Sequence, residues 1–64
     1  MDHTLKHKGY RGSVKYSYVD NLFYGQILDI TDLISYEGRR IDELMEDFVN
    51  AVEEYESKGN TTKD

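Results

Sequence analysis

The chain has no cysteine among its 64 residues. That excludes disulfide staples and a thiol nucleophile, and it suits a reducing compartment, so the expected location is the cytoplasm. No apolar run approaches the roughly 20 residues that a membrane helix requires. Residues 1–16 carry basic side chains but lack the apolar segment of a signal peptide. The ligand spacings of a metal cage, a phosphate-cradling loop, internal repeats and low-complexity segments are missing as well. No cofactor is expected. A chain this short removes only about 60% of its unfolded surface from water. With neither disulfide nor metal as support, self-association or a partner protein is the remaining source of stability.

Positive charge is scarce overall and concentrated at one end. The net charge is −5. Within residues 1–16, Lys6, Lys8, Arg11 and Lys15 stand against Asp2 alone; the rest of the chain is strongly acidic. Phosphate binding needs concentrated positive charge, so nucleic acid is disfavoured as the main partner. A basic partner would be attracted at long range.

What is present is organised around residues 41–55. Ile41, Leu44, Met45, Phe48, Val49, Val52 and Tyr55 recur at helical spacing. They form one apolar stripe on a helix of about four turns. Asp42, Glu43, Glu46, Asp47, Asn50, Glu53 and Glu54 fill the opposite side. A period of two would throw Leu44 and Met45 onto opposite faces, which excludes a strand. The helix is expected to stop near Lys58-Gly59. Arg39 and Arg40 precede it, where positive charge opposes the helix dipole. They either pair with Glu37, Asp42 or Glu43 or contact an anionic group on a partner.

The helix needs a platform, and the preceding residues supply one. Lys8–Ser17 alternates, with Tyr10, Gly12, Val14 and Tyr16 on one face and Arg11, Ser13, Lys15 and Ser17 on the other. Tyr18-Val19-Asp20-Asn21 reads as a turn. Leu22–Asp29 is a second strand and Leu33–Glu37 a third, with Ile34 and Tyr36 toward the helix. A four-residue turn pairs Ser17 with Leu22, Tyr16 with Phe23, Lys15 with Tyr24, Val14 with Gly25, Ser13 with Gln26, Gly12 with Ile27 and Arg11 with Leu28; another turn length would change these pairs. Gly12 and Gly25 then open a trough for Phe48 or Met45. Met1–His7 has no period and reads as a flexible tail, residues 8–58 as the domain, and residues 59–64 as a second tail. His3 and His7, four apart, are either two metal ligands or part of that mobile tail. The expected architecture is α+β: a three-stranded antiparallel meander with one helix on one face. Its core comprises Val14, Tyr16, Phe23, Ile27, Ile34, Tyr36, Ile41, Leu44, Met45, Phe48, Val52 and Tyr55.

From Lys8 to about Tyr55 the chain resembles the HicB antitoxin family. The resemblance rests on Lys8-Gly9-Tyr10-Arg11-Gly12-Ser13-Val14-Lys15-Tyr16, on Leu22-Phe23-Tyr24-Gly25-Gln26-Ile27-Leu28, on Asp32-Leu33-Ile34-Ser35-Tyr36-Glu37-Gly38, and on the helix from Ile41 through Phe48, Val52 and Tyr55. It implies a partial ribonuclease-H-like domain without catalytic acids. Such a domain covers the active site of HicA, a small basic messenger-RNA-cleaving toxin. In the family a C-terminal domain usually binds operator DNA. This sequence stops at Asp64, so operator binding is not carried over. The family fold also lays a further strand beside the first, after the helix. Without it, Lys8–Tyr16 would be an open sheet edge, available to a second copy or to a toxin strand.

Two faces are candidates for the partner. One is the acidic helix face: Asp42, Glu43, Glu46, Asp47 and Glu53, with Glu54. The other is the outer sheet face: Arg11, Tyr24 and Leu28. The bland reading is a merely solvated acidic stripe. A nucleic-acid-binding or regulatory module is the alternative, because Lys6, Lys8, Arg11 and Lys15 with Tyr10 and Tyr16 imitate a basic strand with interleaved aromatics. An enzyme is not expected. Glu53-Glu54 and Asp42-Glu43 lie on an open face, where no burial would separate their pKa values.

Overall fold

The computed structural model describes residues 3–60, with side chains through Ser57. Among the described residues the chain is α+β, with antiparallel strands in two sheets and one helix. The elements are β1 (Thr4–His7), β2 (Tyr10–Ser13), β3 (Lys15–Ser17), β4 (Leu22–Gln26), β5 (Ser35–Gly38) and α1 (Ile41–Asn60). β1 pairs with β2; β3, β4 and β5 form the second sheet in that order.

The first correction concerns the expected N-terminal tail. Thr4–His7 is a strand, paired from Thr4 opposite Ser13 to His7 opposite Tyr10. Lys8 and Gly9 make the two-residue turn, both with positive φ, at 55° and 84°. That is the backbone of a primed hairpin turn, whose twist matches the strands it joins. Lys8 therefore opens a turn and does not begin a strand. Met1 and Asp2 lie outside the described residues.

The expected register from Gly12 to Leu28 holds. Lys15 pairs with Tyr24, Tyr16 with Phe23 and Ser17 with Leu22. Gly12 bridges Ile27, and the Leu28 N–H donates to the Arg11 carbonyl at 2.7 Å. The single strand expected over Lys8–Ser17 is nevertheless broken at Val14. The cause comes from β5. Tyr36 is opposite Gly25 and its ring crosses that glycine. Its hydroxyl lies 2.8 Å from the Ser13 carbonyl and 3.2 Å from the Gln26 carbonyl, donating to both. The Gln26 N–H turns to the Ser13 hydroxyl, at 3.0 Å. One rung of the ladder is thus replaced by a phenol and a serine, and the register resumes beyond it. Side chains cannot be added at either glycine. A methyl at Gly25 would overlap the Ser13 carbonyl, and one at Gly12 would overlap the Tyr36 hydroxyl and sit 2.7 Å from the Phe48 ring. The trough between the glycines holds Tyr36 and Phe48; Met45 is half-buried beside it.

Tyr36, Ile27, Leu44, Phe48 and Val52 are the buried core, and the last three are sealed completely. Leu5, Tyr10, Val14, Phe23, Ile34 and Met45 pack around them. Tyr55 meets Tyr10 edge to face, with centroids 5.7 Å apart. Two expected core residues are outside. Ile41 is 52% exposed because it is the first residue of α1, at the rim of the helix–sheet contact. Tyr16 is 38% exposed because β3 lies at the margin of the helix footprint. Its ring packs on Phe23 and Tyr18 instead, and its hydroxyl donates to Asn21.

The third strand begins at Ser35, two residues later than expected, and Leu33 is 81% exposed. The helix ends at Asn60, one residue past the expected stop near Lys58-Gly59. Residues 61–64 lie outside the described residues. At the helix start the carboxylate of Glu43 accepts the Arg39 N–H at 3.0 Å, and Asp42 accepts the Glu43 N–H at 2.8 Å. Asp42 also lies 3.5 Å from the Arg40 guanidinium. The first turn thus supplies its own anions against the two arginines.

Candidate functional site

The eight residues proposed for partner binding fall into three groups. The first group holds the fold together. Glu53 is 2.9 Å from the His7 ring and 3.5 Å from the Lys8 ammonium, which also lies 3.5 Å from Glu56. The hydrogen bond from His7, and next the charge of Lys8, holds the Glu53 carboxyl below its usual range. The two glutamates raise the Lys8 pKa in turn, Glu53 more than Glu56. His7 therefore takes part in a clasp between the β1–β2 turn and α1. His7 ends β1 and His3 precedes it, and among the described residues neither belongs to a group that could hold a metal ion. Asp42 and Glu43 serve the helix start. Arg11 donates from Nε and Nη2 to one oxygen of Asp29, at 3.1 and 2.7 Å.

The second group lies outside both the clasp and the helix start. Glu46 is exposed, and Leu28 is half-buried beside the Arg11–Asp29 pair.

The third group comprises Tyr24 and Asp47, which meet in a groove of about 630 Å³. The groove crosses the outer face of β3–β4–β5, the side away from the core. Alternation places Ser17, Leu22, Tyr24, Ser35 and Glu37 on that face, and all five line it. Asp20 closes one end from the β3–β4 turn, where Ser17 caps its N–H at 3.2 Å. Asp47 closes the other end from the helix. Ile27 donates to the Ile34 carbonyl, and antiparallel pairs alternate, so the Glu37 N–H points away from β4. Asp47 accepts it at 3.0 Å. A helix carboxylate thereby covers the free edge of β5 and is held at the groove rim.

Among the described residues, Asp20, Glu37 and Asp47 form no ion pair, and no cation lines the groove. Lys15 is the nearest cation by register, across Tyr24 from Glu37. Ser17, Asp20, Leu22, Ser35 and Glu37 were not singled out from the sequence. Pairing plus alternation would have assembled all of them except Asp20, whereas nothing in the sequence brings Asp47 to the sheet edge.

The open edge also differs from expectation. β1 covers β2, so the edge once assigned to Lys8–Tyr16 shrinks to β3, Lys15–Ser17. Among the described residues no group of histidine and carboxylate side chains is placed to hold a metal ion, and no helix is long and apolar enough to cross a membrane. Comparison with protein-family models, curated proteins and solved structures finds no match to this chain.

Proposed function

We propose that the chain is a HicB-type antitoxin domain with a partial ribonuclease-H-like fold, which neutralises a small basic RNA-cleaving toxin by covering its active site. The observation that carries this reading is the division of charge. Among the described side chains three of the six cations are engaged internally, Lys8 with Glu53 and Glu56, Arg11 with Asp29 and Arg40 with Asp42, while Lys6, Lys15 and Arg39 form no ion pair. Around an uncovered sheet face Asp20, Glu37 and Asp47 are left without a cation among the described residues, and such a face suits a basic protein. The same division speaks against the nucleic-acid reading, because Lys8 and Arg11 are engaged and Tyr10 packs against Tyr55. Inhibition is steric and electrostatic and needs no chemistry from this chain. A second copy pairing along β3 would leave the outer face free for the toxin.

The test is an RNA-cleavage assay with a purified HicA-like toxin. Added chain should suppress cleavage at stoichiometric ratio, and co-expression should relieve toxin-induced growth arrest. Undiminished cleavage at a large excess of folded chain would refute the reading.

A further inference from the structure

The outer face of the second sheet is unpartnered, and its charge and shape select what can cover it. We infer that the groove across β3–β4–β5 receives an arginine side chain from a basic protein segment laid over the sheet. The inference rests on the proposed function for the partner's identity as a toxin, but the groove's ligand chemistry is argued from its own residues.

Three features select the occupant. The anionic groups come from separate elements: Asp20 from a turn, Glu37 from β5 and Asp47 from the helix. They frame the groove instead of converging, and among the described residues no cluster could chelate a metal ion. Spread acceptors suit a wide, delocalised cation with several donors, which describes a guanidinium better than an ammonium. Tyr24, 40% exposed, lies on the groove wall between the rows of Ser17 and Ser35. A planar cation can lie against its ring while its N–H groups reach the carboxylates. At about 630 Å³ the groove has room for an arginine with its neighbours, not for a lone side chain only. The compensated carboxylates elsewhere lack this character: Glu53 already holds Lys8 and Asp29 holds Arg11.

The test titrates isotope-labelled chain with an oligoarginine peptide, its oligolysine counterpart and a citrulline version of the same length, following amide shifts. The expected result is shifts at Ser17, Tyr24 and Glu37, arginine ahead of lysine, and none with citrulline. Asp20→Asn with Glu37→Gln should weaken oligoarginine binding by roughly tenfold or more. Both changes preserve shape, and a circular dichroism spectrum checks the fold. Glu46→Gln with Glu54→Gln, outside the groove, should leave binding within about twofold. Lys15→Ala should tighten it slightly, by removing the neighbouring positive charge.

Shifts that follow Glu46 and Glu54, or a groove variant that binds as the unaltered chain does, would overturn the inference. The toxin assay separates it from the antitoxin reading. A groove variant that protects RNA as fully as the unaltered chain refutes the groove and leaves that reading intact. Oligoarginine seated in the groove of a chain that inhibits no toxin does the opposite.

Discussion

The two ends of α1 carry the same kind of side chain and use it differently. Toward the C-terminal end, Glu53 and Glu56 face the β1–β2 turn, where the Lys8 ammonium lies near both and the His7 ring hydrogen-bonds Glu53. Nearer the start, Asp47 reaches around β5 to a backbone N–H and joins Glu37 and Asp20 at a groove lined, among the described residues, by no cation. A carboxylate on a helix surface is therefore not informative by type. Whether the strand beneath it offers a cation or a bare amide decides between a clasp and an anionic surface.

The broadest way to break this contrast is to remove the core beneath both ends. Phe48→Ala should cost about 3–5 kcal/mol, because the ring is fully buried and Gly12 leaves nothing to fill the void. That is comparable to the whole stability of a domain this size, so both regions should melt together in a urea titration.

Tyr36→Phe comes next. It leaves the Ser13 and Gln26 carbonyls without their shared donor, at about 1–3 kcal/mol. The tyrosine also carries a pH signature. Burial pushes its pKa from the ordinary 10.0 up to about 12. Above the unfolded pKa the unfolded chain releases the proton first, so stability falls as pH rises from about 10 through about 12. The loss should approach roughly 2–3 kcal/mol. Alkaline urea titrations should show it in the unaltered chain and not in the phenylalanine variant.

The clasp gives a smaller and more diagnostic effect. Glu53→Gln should lower the denaturation midpoint slightly and leave oligoarginine binding unchanged, in contrast to the groove variant. Because the folded-state pKa of Glu53 is lowered, its contribution is present above the unfolded pKa and lost as pH falls through the folded value. The variant should lack that acid-side loss. Added salt should shrink the difference, since the pair is exposed. The smallest effect belongs to Glu46→Lys. Glu46 is exposed and contributes to neither region, so thermal melting and toxin affinity should both change little; a large loss of affinity would return the outer helix stripe to consideration.

Much of this geometry was legible beforehand. The helix stripe and the register from Gly12 to Leu28 follow from periods of 3.6 and 2, and each period is carried by many residues at once. The glycine trough was legible for the same reason, since the register sets each glycine opposite a larger side chain. What escaped was local or remote. β1 offers one apolar side chain, Leu5, in Thr4–His7, too little alternation to mark a strand, and Lys8 is an unusual residue for a turn with positive φ. The break at Val14 has no cause within its own segment, because a tyrosine more than twenty residues later produces it. The groove was half visible: Tyr24 and Asp47 were singled out, but a carboxylate that caps the β5 edge looks in sequence like any other on the helix.

The clasp between the β1–β2 turn and the helix joins residues 46 and 48 positions apart. Such a contact closes a very large loop, and the entropy of closure must be met before its small energy is gained. During synthesis the N-terminal hairpin therefore waits, with its helix-facing side wet, until nearly all of α1 has left the ribosome. The last feature to form is the one that brings the beginning of the domain to its end.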